Sequence, residues 1–110
     1  MSFLLVLCTC PDAATADALA QALVEERLAA CVNVLPGVRS VYRWQGAVER
    51  TDEVLLLAKT TVARFDELEA RIVALHPATL PEVIACDIAG GLDRYLAWVG
   101  AATAVHGDAA

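Results

Sequence analysis

The sequence lacks any long apolar run, and this absence excludes an ordinary membrane-spanning helix. A helix that crosses a bilayer needs about 20 consecutive apolar residues, and no segment of the 110-residue chain approaches that length. The residues after Met1 also lack the positive charges with which a secretory signal begins. We therefore expect a soluble, cytoplasmic protein without a membrane span.

The signatures of several enzyme and cofactor-binding classes are also missing. The chain has no glycine-rich phosphate loop, no HExxH motif and no CxxC pair. A catalytic thiol needs a base that lowers its pKa, and Cys8 stands in an apolar segment with no base adjacent in sequence. His106 falls in the C-terminal tail, where a base would be poorly held. We predict a binding protein rather than an enzyme, with no organic cofactor.

Positive charge is scarce. Eight Lys and Arg residues stand against 14 Asp and Glu residues, which gives a net charge of −6. Proteins that bind nucleic acids in general rely on clustered cations that neutralise phosphates. This charge balance argues against a general nucleic-acid-binding protein.

Four cysteines occur in the chain without a secretory signal, so we expect reduced thiols rather than a disulfide scaffold. Apolar neighbours predict that Cys31 and Cys86 are buried by packing. Cys8 and Cys10 are two residues apart in an extended segment, so their side chains are predicted to point to the same face of a strand. That spacing permits a shared metal without requiring one.

Apolar periodicity predicts seven elements in the order strand, helix, strand, strand, helix, strand, helix. Asp12 or Thr15 is expected to cap the first helix, and Pro36-Gly37 to cause a bulge or kink in the second strand. The order corresponds to an α+β, ferredoxin-like βαββαβ fold with a four-stranded antiparallel sheet and an extra C-terminal helix. We expect one domain over residues 1–103 and a flexible tail over 104–110. The predicted elements cover residues 3–10, 16–28, 31–45, 54–60, 62–75, 83–88 and 92–99.

One face of the predicted sheet is left bare, because the two helices between the strands cover the other face. The first and third strands carry apolar side chains toward both faces. The apolar fraction of 58% also exceeds the usual share. A homo-oligomer would bury this bare face, and the aromatic-bearing hairpin 38–54 is the segment expected to reach a neighbouring copy.

An elbow at residues 75–82 is the most informative local feature. His76 follows a helix, Pro77 and Pro81 stiffen the chain, and Glu82 comes next. Proline disfavours helical geometry in the residue before it, so His76 is predicted to stand at the helix end. Such an elbow can direct His76 and Glu82 toward a site, although prolines after a helix are also ordinary helix-ending signals.

Short segments distributed along the chain together resemble the CutA family of divalent-cation tolerance proteins. The match runs from about residue 4 to residue 102 in the expected order and spacing. The resemblance implies a cytoplasmic homotrimer of ferredoxin-like subunits, similar in architecture to the PII signalling proteins, with a role in metal-ion tolerance and copper binding. The segments are LCTCPD at 7–12, ERLAACVN at 26–33, YRWQG at 42–46, KT at 59–60, HP at 76–77, PE at 81–82 and YLAW at 95–98.

The resemblance implies that Cys8 and His76 bind copper or another divalent cation. In the bacterial member associated with copper, the proposed ligands are a cysteine late in the first strand and two successive histidines before the proline. Cys8 and His76 match, but Leu75 stands where the first histidine would be. A neighbouring subunit, a water molecule or Cys10 would then complete the set. The alternative is a buried Cys8 and a His76 that only complements the helix dipole.

A second candidate site is a polar cleft between subunits, which would suit a PII-like binding or signalling trimer. Lys59 and Glu82 would present a cation and an anion to a small molecule or anion, or would form a structural ion pair. The aromatic residues would otherwise pack in the trimer contact. The residues expected at this intersubunit cleft are Lys59, Glu82, Tyr95, Trp98 and Trp44.

Overall fold

The computed structural model describes residues 2–105, so residues 106–110, which include His106 and most of the predicted tail, lie outside the described part. The four strands form one antiparallel sheet in the order β2-β3-β1-β4, which confirms the predicted α+β, ferredoxin-like fold. None of the three helices described has both the length and the apolar character that crossing a bilayer requires. The elements are β1 Phe3–Cys10, α1 Ala13–Glu25, β2 Cys31–Trp44, β3 Ala47–Thr61, α2 Val62–Leu75, β4 Ile84–Asp87 and α3 Asp93–Ala102.

The main core lies on the face of the sheet that α1 and α2 cover. Buried and half-buried residues alternate along the whole of β1 and along β3 from Glu53 to Thr60. The predicted helical stripes are buried at their centres, whereas Val62 and Leu75 at the ends of α2 are exposed. The principal core residues are Val6, Cys8, Cys10, Leu56 and Ala58 from the strands and Ala16, Leu19, Leu23, Leu68 and Ile72 from the helices.

Both ends of α1 are closed by side chains. The Oδ1 atom of Asp12 accepts a hydrogen bond of 2.7 Å from the Thr15 backbone N–H, so Asp12 rather than Thr15 is the N-cap. After the helix, Arg27 adopts a left-handed φ of 59°. The buried Arg64 of α2 donates to the carbonyl oxygens of Glu26 and Arg27 at 3.5 and 3.3 Å. These bonds satisfy carbonyl groups that follow the end of the helix, and they join α2 to α1.

Strands β2 and β3 extend beyond the rest of the sheet as a long hairpin arm, residues 38–53. Its turn is formed by Gln45 and Gly46, which both have positive φ, 48° and 83°, as a tight hairpin turn requires. The register shifts between Leu35 and Val38, which confirms the bulge predicted at Pro36-Gly37. Strand β3 begins at Ala47, directly after the turn, so the predicted hairpin return at 47–49 and the predicted buried strand from Val54 form one continuous strand, although residues 47–53 carry no apolar alternation.

The outer face of the sheet, opposite α1 and α2, is partly covered by α3. This helix contacts β3, and its Val99 side chain is completely buried. The prediction of a wholly bare outer face is therefore wrong, because the C-terminal helix folds back onto it. Large apolar side chains nevertheless remain exposed on the arm, on β4 and on α3. They include Val41, Tyr42, Trp44, Val48, Ile84, Leu92 and Trp98.

The four cysteines are free thiols with different burial. Cys8 and Cys10 are buried in the core, and Cys31 is half-buried. Cys86 is exposed, so the prediction that packing buries it is wrong for this chain. The reason is that β4 is a four-residue strand at the edge of the sheet, and all four of its side chains are exposed.

Candidate functional site

Three soft donor groups meet at the end of β1, namely the thiols of Cys8 and Cys10 and the imidazole of His76. Their potential ligand atoms all lie within 4.8 Å of one another. Cys8 and Cys10 point to the covered face of the sheet because they are two residues apart on one strand. His76 terminates α2 in an extended conformation, since Pro77 prevents another helical turn. The fold thus brings a histidine from the elbow to two buried thiols.

Two hydrogen bonds to the backbone hold the His76 ring. Nδ1 accepts a bond of 3.0 Å from the Ala78 N–H, and Nε2 lies 2.8 Å from the Thr9 carbonyl oxygen. A carbonyl oxygen can only accept and a backbone N–H can only donate, so the ring is the neutral tautomer with its proton on Nε2. The lone pair on Nδ1 is therefore occupied by Ala78, and coordination of a cation there would require that bond to be exchanged.

The two thiols differ in how readily they ionise. A hydrogen bond between the Cys8 and Cys10 side chains raises the pKa of Cys8, and burial raises it further. The same bond lowers the pKa of Cys10, because the Cys8 S–H stabilises a thiolate on its neighbour, although burial opposes this effect. The carboxylates of Glu82 and Glu53 also raise the pKa of Cys8 through their negative charge. The nearby carboxylates disfavour negative charge on Cys8, so the local field favours a cation.

A cavity of about 700 Å³ opens beside this cluster. It is lined by Thr9 at the end of β1, by residues 40–44 and Glu53 of the hairpin arm, and by His76 and residues 78–82 of the elbow. Glu53 and Glu82 supply its acidic groups, and Trp44 supplies an aromatic wall. Two carboxylates against the one guanidinium group of Arg43 give the lining a net negative charge, which favours the approach of a cation.

The residues predicted for an intersubunit cleft fall into two groups within the chain. The first group surrounds Cys31 on the outer face. Lys59 Nζ lies 3.9 Å from Cys31 Sγ and also donates to the Asn33 side-chain oxygen. The Tyr95 and Trp98 rings lie against each other with centroids 5.5 Å apart. Burial raises the pKa of Tyr95, and the neighbouring Cys31 thiol raises it further.

The second group consists of Glu82 and Trp44, which line the cavity next to His76. Lys59 and Glu82 do not form the ion pair that the sequence allowed; over residues 2–105 the ion pairs are Arg64 with Glu67 and Arg71 with Glu26. A single cleft that contains all five predicted residues is not formed within one chain. It stays a prediction about the contact between subunits.

Comparison with known proteins identifies the family. Residues 4–102 match the family described as CutA1 divalent ion tolerance protein. The chain belongs to this CutA family. The divalent-cation tolerance protein CutA of Thermus thermophilus is 54% identical over 94 residues, which cover 86% of this chain and 91% of that protein.

Further relatives agree on the fold and on the family. The crystal structure of CutA from Xylella fastidiosa superimposes with a TM-score of 0.92 at 44% identity, and the match covers 94% of this chain and all of that one. The protein CutA of Arabidopsis thaliana, described as chloroplastic, is 43% identical over 96 residues, or 87% of this chain and 53% of that protein. These matches confirm the resemblance to CutA that the sequence segments indicated.

Several residues near the two candidate sites were not among the site residues that the sequence predicted. Glu53 was missed because it belongs to a stretch of β3 without apolar alternation, so nothing in the pattern placed it beside the cluster. Cys31 and Asn33 were missed as neighbours of Lys59; the strand register, which pairs Cys31 directly with Lys59, was the signal that would have found them. Leu75, at the position implied for a first histidine, is exposed and offers no donor atom.

Proposed function

We propose that this CutA protein takes part in the response to metal ions by binding a soft cation, copper in the first instance, through Cys8, Cys10 and His76. The observation that supports this is the convergence of the three donor groups within 4.8 Å. Thiolate and imidazole are preferred ligands of copper and also suit zinc. Cys10 would supply the third donor that Leu75 cannot provide.

The surrounding groups prepare these residues for such a role. The interaction between the two thiols lowers the pKa of Cys10 and raises that of Cys8. The Thr9 carbonyl holds the Nε2–H of His76, as partner groups commonly orient metal-binding histidines. A bound cation would offset the negative charge of the thiolates and of the nearby Glu53 and Glu82 carboxylates. We propose binding rather than catalysis, since both thiols are buried and the raised pKa of Cys8 disfavours its thiolate as a nucleophile.

The test is a calorimetric titration of the reduced, metal-free protein with Cu(I) under anaerobic conditions and, separately, with Cu(II). We expect stoichiometric binding that Cys8→Ser, Cys10→Ser and His76→Ala each weaken. Loss of a ligand should weaken binding more than the roughly 10- to 100-fold caused by loss of a ligand's hydrogen-bond partner. Cys86→Ser is the matched control, because Cys86 is an exposed thiol outside the cluster. Equal weakening in Cys86→Ser, or binding indifferent to Cys10→Ser, would contradict this assignment.

We also propose that the chain assembles as a homotrimer in the cytoplasm. The number of subunits follows from the resemblance to CutA, and the exposed apolar side chains of the arm, β4 and α3 support assembly in general. The relative from Arabidopsis carries a chloroplast description. We therefore propose the cytoplasmic location from the sequence alone.

A second candidate function is a PII-like trimer that holds a small molecule or anion in the clefts between subunits. It is favoured by the Lys59 ammonium group, which lies beside Cys31 on the outer face where Tyr95 also packs. The same titration distinguishes the two functions. Weak metal binding that is indifferent to Cys8→Ser and His76→Ala would favour the cleft.

A further inference from the structure

The hairpin arm gathers positive charge on one of its two faces. The register places Arg39 opposite Asp52, Val41 opposite Arg50 and Arg43 opposite Val48. Directly opposite residues share a face of a sheet, so Arg39, Arg43 and Arg50 lie on one side, which we term the arginine face. Tyr42 and Trp44 lie on the other side. A chain with only eight Lys and Arg residues and a net charge of −6 therefore places three of them together on one hairpin face.

The three arginines are arranged in a line with Arg50 at its centre. Arg50 is diagonal to both Arg39 and Arg43 across the strand pair. Diagonal neighbours have Cα atoms about 7–8 Å apart, which long side chains can bridge. Arg39 and Arg43 are four residues apart on β2, or about 13 Å along a strand. The guanidinium groups can thus approach a single extended ligand from both strands.

Among residues 2–105, Asp52 is the carboxylate on this face, so three guanidinium groups stand against one carboxylate and the face keeps a net positive charge. For the part of the chain described, salt bridges join Arg64 to Glu67 and Arg71 to Glu26, and Asp52 does not pair with the Arg39 opposite it. Arg39, Arg50 and Asp52 line an open cavity of about 510 Å³, in which two cationic groups stand against one acidic group. Like charges at neighbouring cross-strand positions repel each other, and a bound anion would offset that repulsion.

We propose that the arginine face binds a short chain of linked phosphates, either free or carried by a nucleotide. The planar fork of a guanidinium group matches a pair of phosphate oxygens, and charge-assisted bonds of this type are among the strongest hydrogen bonds in proteins. A single phosphate can engage only part of a line of three arginines, whereas linked phosphates can follow it. The acidic remainder of the chain disfavours a long nucleic acid. None of the three arginines belongs to the proposed Cys8, Cys10 and His76 cluster, although Arg43 also lines the cavity beside it.

The experiment is a calorimetric titration of the metal-free protein with tripolyphosphate, with a nucleoside triphosphate and with monophosphate. We expect tripolyphosphate to bind more tightly than monophosphate, and Arg50→Gln to weaken its binding by about tenfold or more. Arg94→Gln removes the same charge from an exposed arginine of α3 and is the matched control. Equal affinity for tripolyphosphate and for the nucleoside triphosphate would show that the phosphate chain alone is recognised. Tighter binding of the nucleoside triphosphate would show that the ligand is a nucleotide.

Three results would overturn the proposal. Tripolyphosphate could fail to bind, or Arg94→Gln could weaken binding as much as Arg50→Gln, which would indicate general electrostatic attraction. A lower mass of the assembly in Arg50→Gln, with unchanged circular dichroism, would assign the arginine face to a contact with another subunit instead. Arg43→Gln provides a second variant if Arg50→Gln does not fold.

Discussion

Strand β3 passes through two regions with very different surroundings. From Val54 to Thr60 every second side chain is buried under α1 and α2, whereas every residue from Ala47 to Asp52 is exposed. The backbone is paired with β2 in both regions. The difference shows that strand pairing alone builds the hairpin arm. Packing of side chains stabilises the part of the molecule that α1 and α2 cover, which includes β1 and residues 54–60 of β3 and which we call the covered half. The apolar and aromatic residues of the arm are left available for a second molecule.

The largest expected effect compares two apolar residues of β3. Leu56 is 1% exposed and Val48 is 59% exposed. Leu56→Ala should lower the free energy of unfolding by about 2–5 kcal/mol, because it removes core contacts and leaves a cavity. Val48→Ala should change it by no more than about 0.5 kcal/mol. Urea denaturation at one fixed protein concentration measures both, and similar losses would remove the distinction between the two regions.

The next effect concerns assembly through the arm. Trp44→Ala should weaken association of the subunits by about 2 kcal/mol or more, because large aromatic residues dominate interfaces. Secondary structure should be unchanged, since pairing in the arm does not depend on this side chain. Sedimentation over a dilution series measures the mass, with Val73→Ala, at an exposed apolar position of α2 away from the arm, as the control. A wild-type protein that is monomeric at every concentration would contradict both the trimer and this role of the arm.

The smallest effect lies at an exposed cap beside the covered half. Hydrogen bonds with Thr15, the backbone N–H bond first, lower the pKa of Asp12. A lowered folded-state pKa stabilises the protein above the unfolded-state pKa, and this contribution disappears as the pH falls through the folded-state value. Asp12→Ala should therefore be less stable than wild type at neutral pH, and the difference should shrink in acid.

The matched control for the cap is Asp17→Ala, which removes the same charge from an exposed position on α1. Denaturant unfolding at several pH values measures both variants against wild type. A deficit of Asp12→Ala that stayed constant down to strongly acidic pH would show that the ionised carboxylate is not what caps the helix. A deficit as large as that of Leu56→Ala would show that the covered half depends on its caps as much as on its core.

The sequence predicted the covered half better than it predicted the arm. The spacing of apolar residues in β1 and α2 indicated which side chains are buried. Pro77 correctly predicted that α2 ends at Leu75. The sequence predicted a hairpin over residues 38–54 that returns at Gly46, but it did not show that residues 47–53 are paired throughout, because their exposed side chains carry no apolar alternation. Their structure depends on the Gln45-Gly46 turn, which sets the register for everything that follows it.

The candidate site was predictable only in part, for a similar reason. The two-residue spacing of Cys8 and Cys10 indicated a shared face, and the resemblance to CutA connected Cys8 with His76. The bonds of His76 to Thr9 and Ala78 involve backbone groups, whose positions depend on the path of the elbow rather than on residue type. The exposure of Cys86 depended on β4 being a short edge strand, which its apolar composition did not reveal.

The uninterrupted course of β3 has a consequence for recognition. The bulge near Pro36-Gly37 belongs to β2, whereas β3 continues from the turn at Gly46 to the core. A partner that meets the arm therefore encounters backbone that is already ordered by its own hydrogen-bond ladder. Less conformational entropy remains to be lost on contact, so weak individual contacts can still give appreciable affinity. The free energy that folds the core thus also prepares the arm for association.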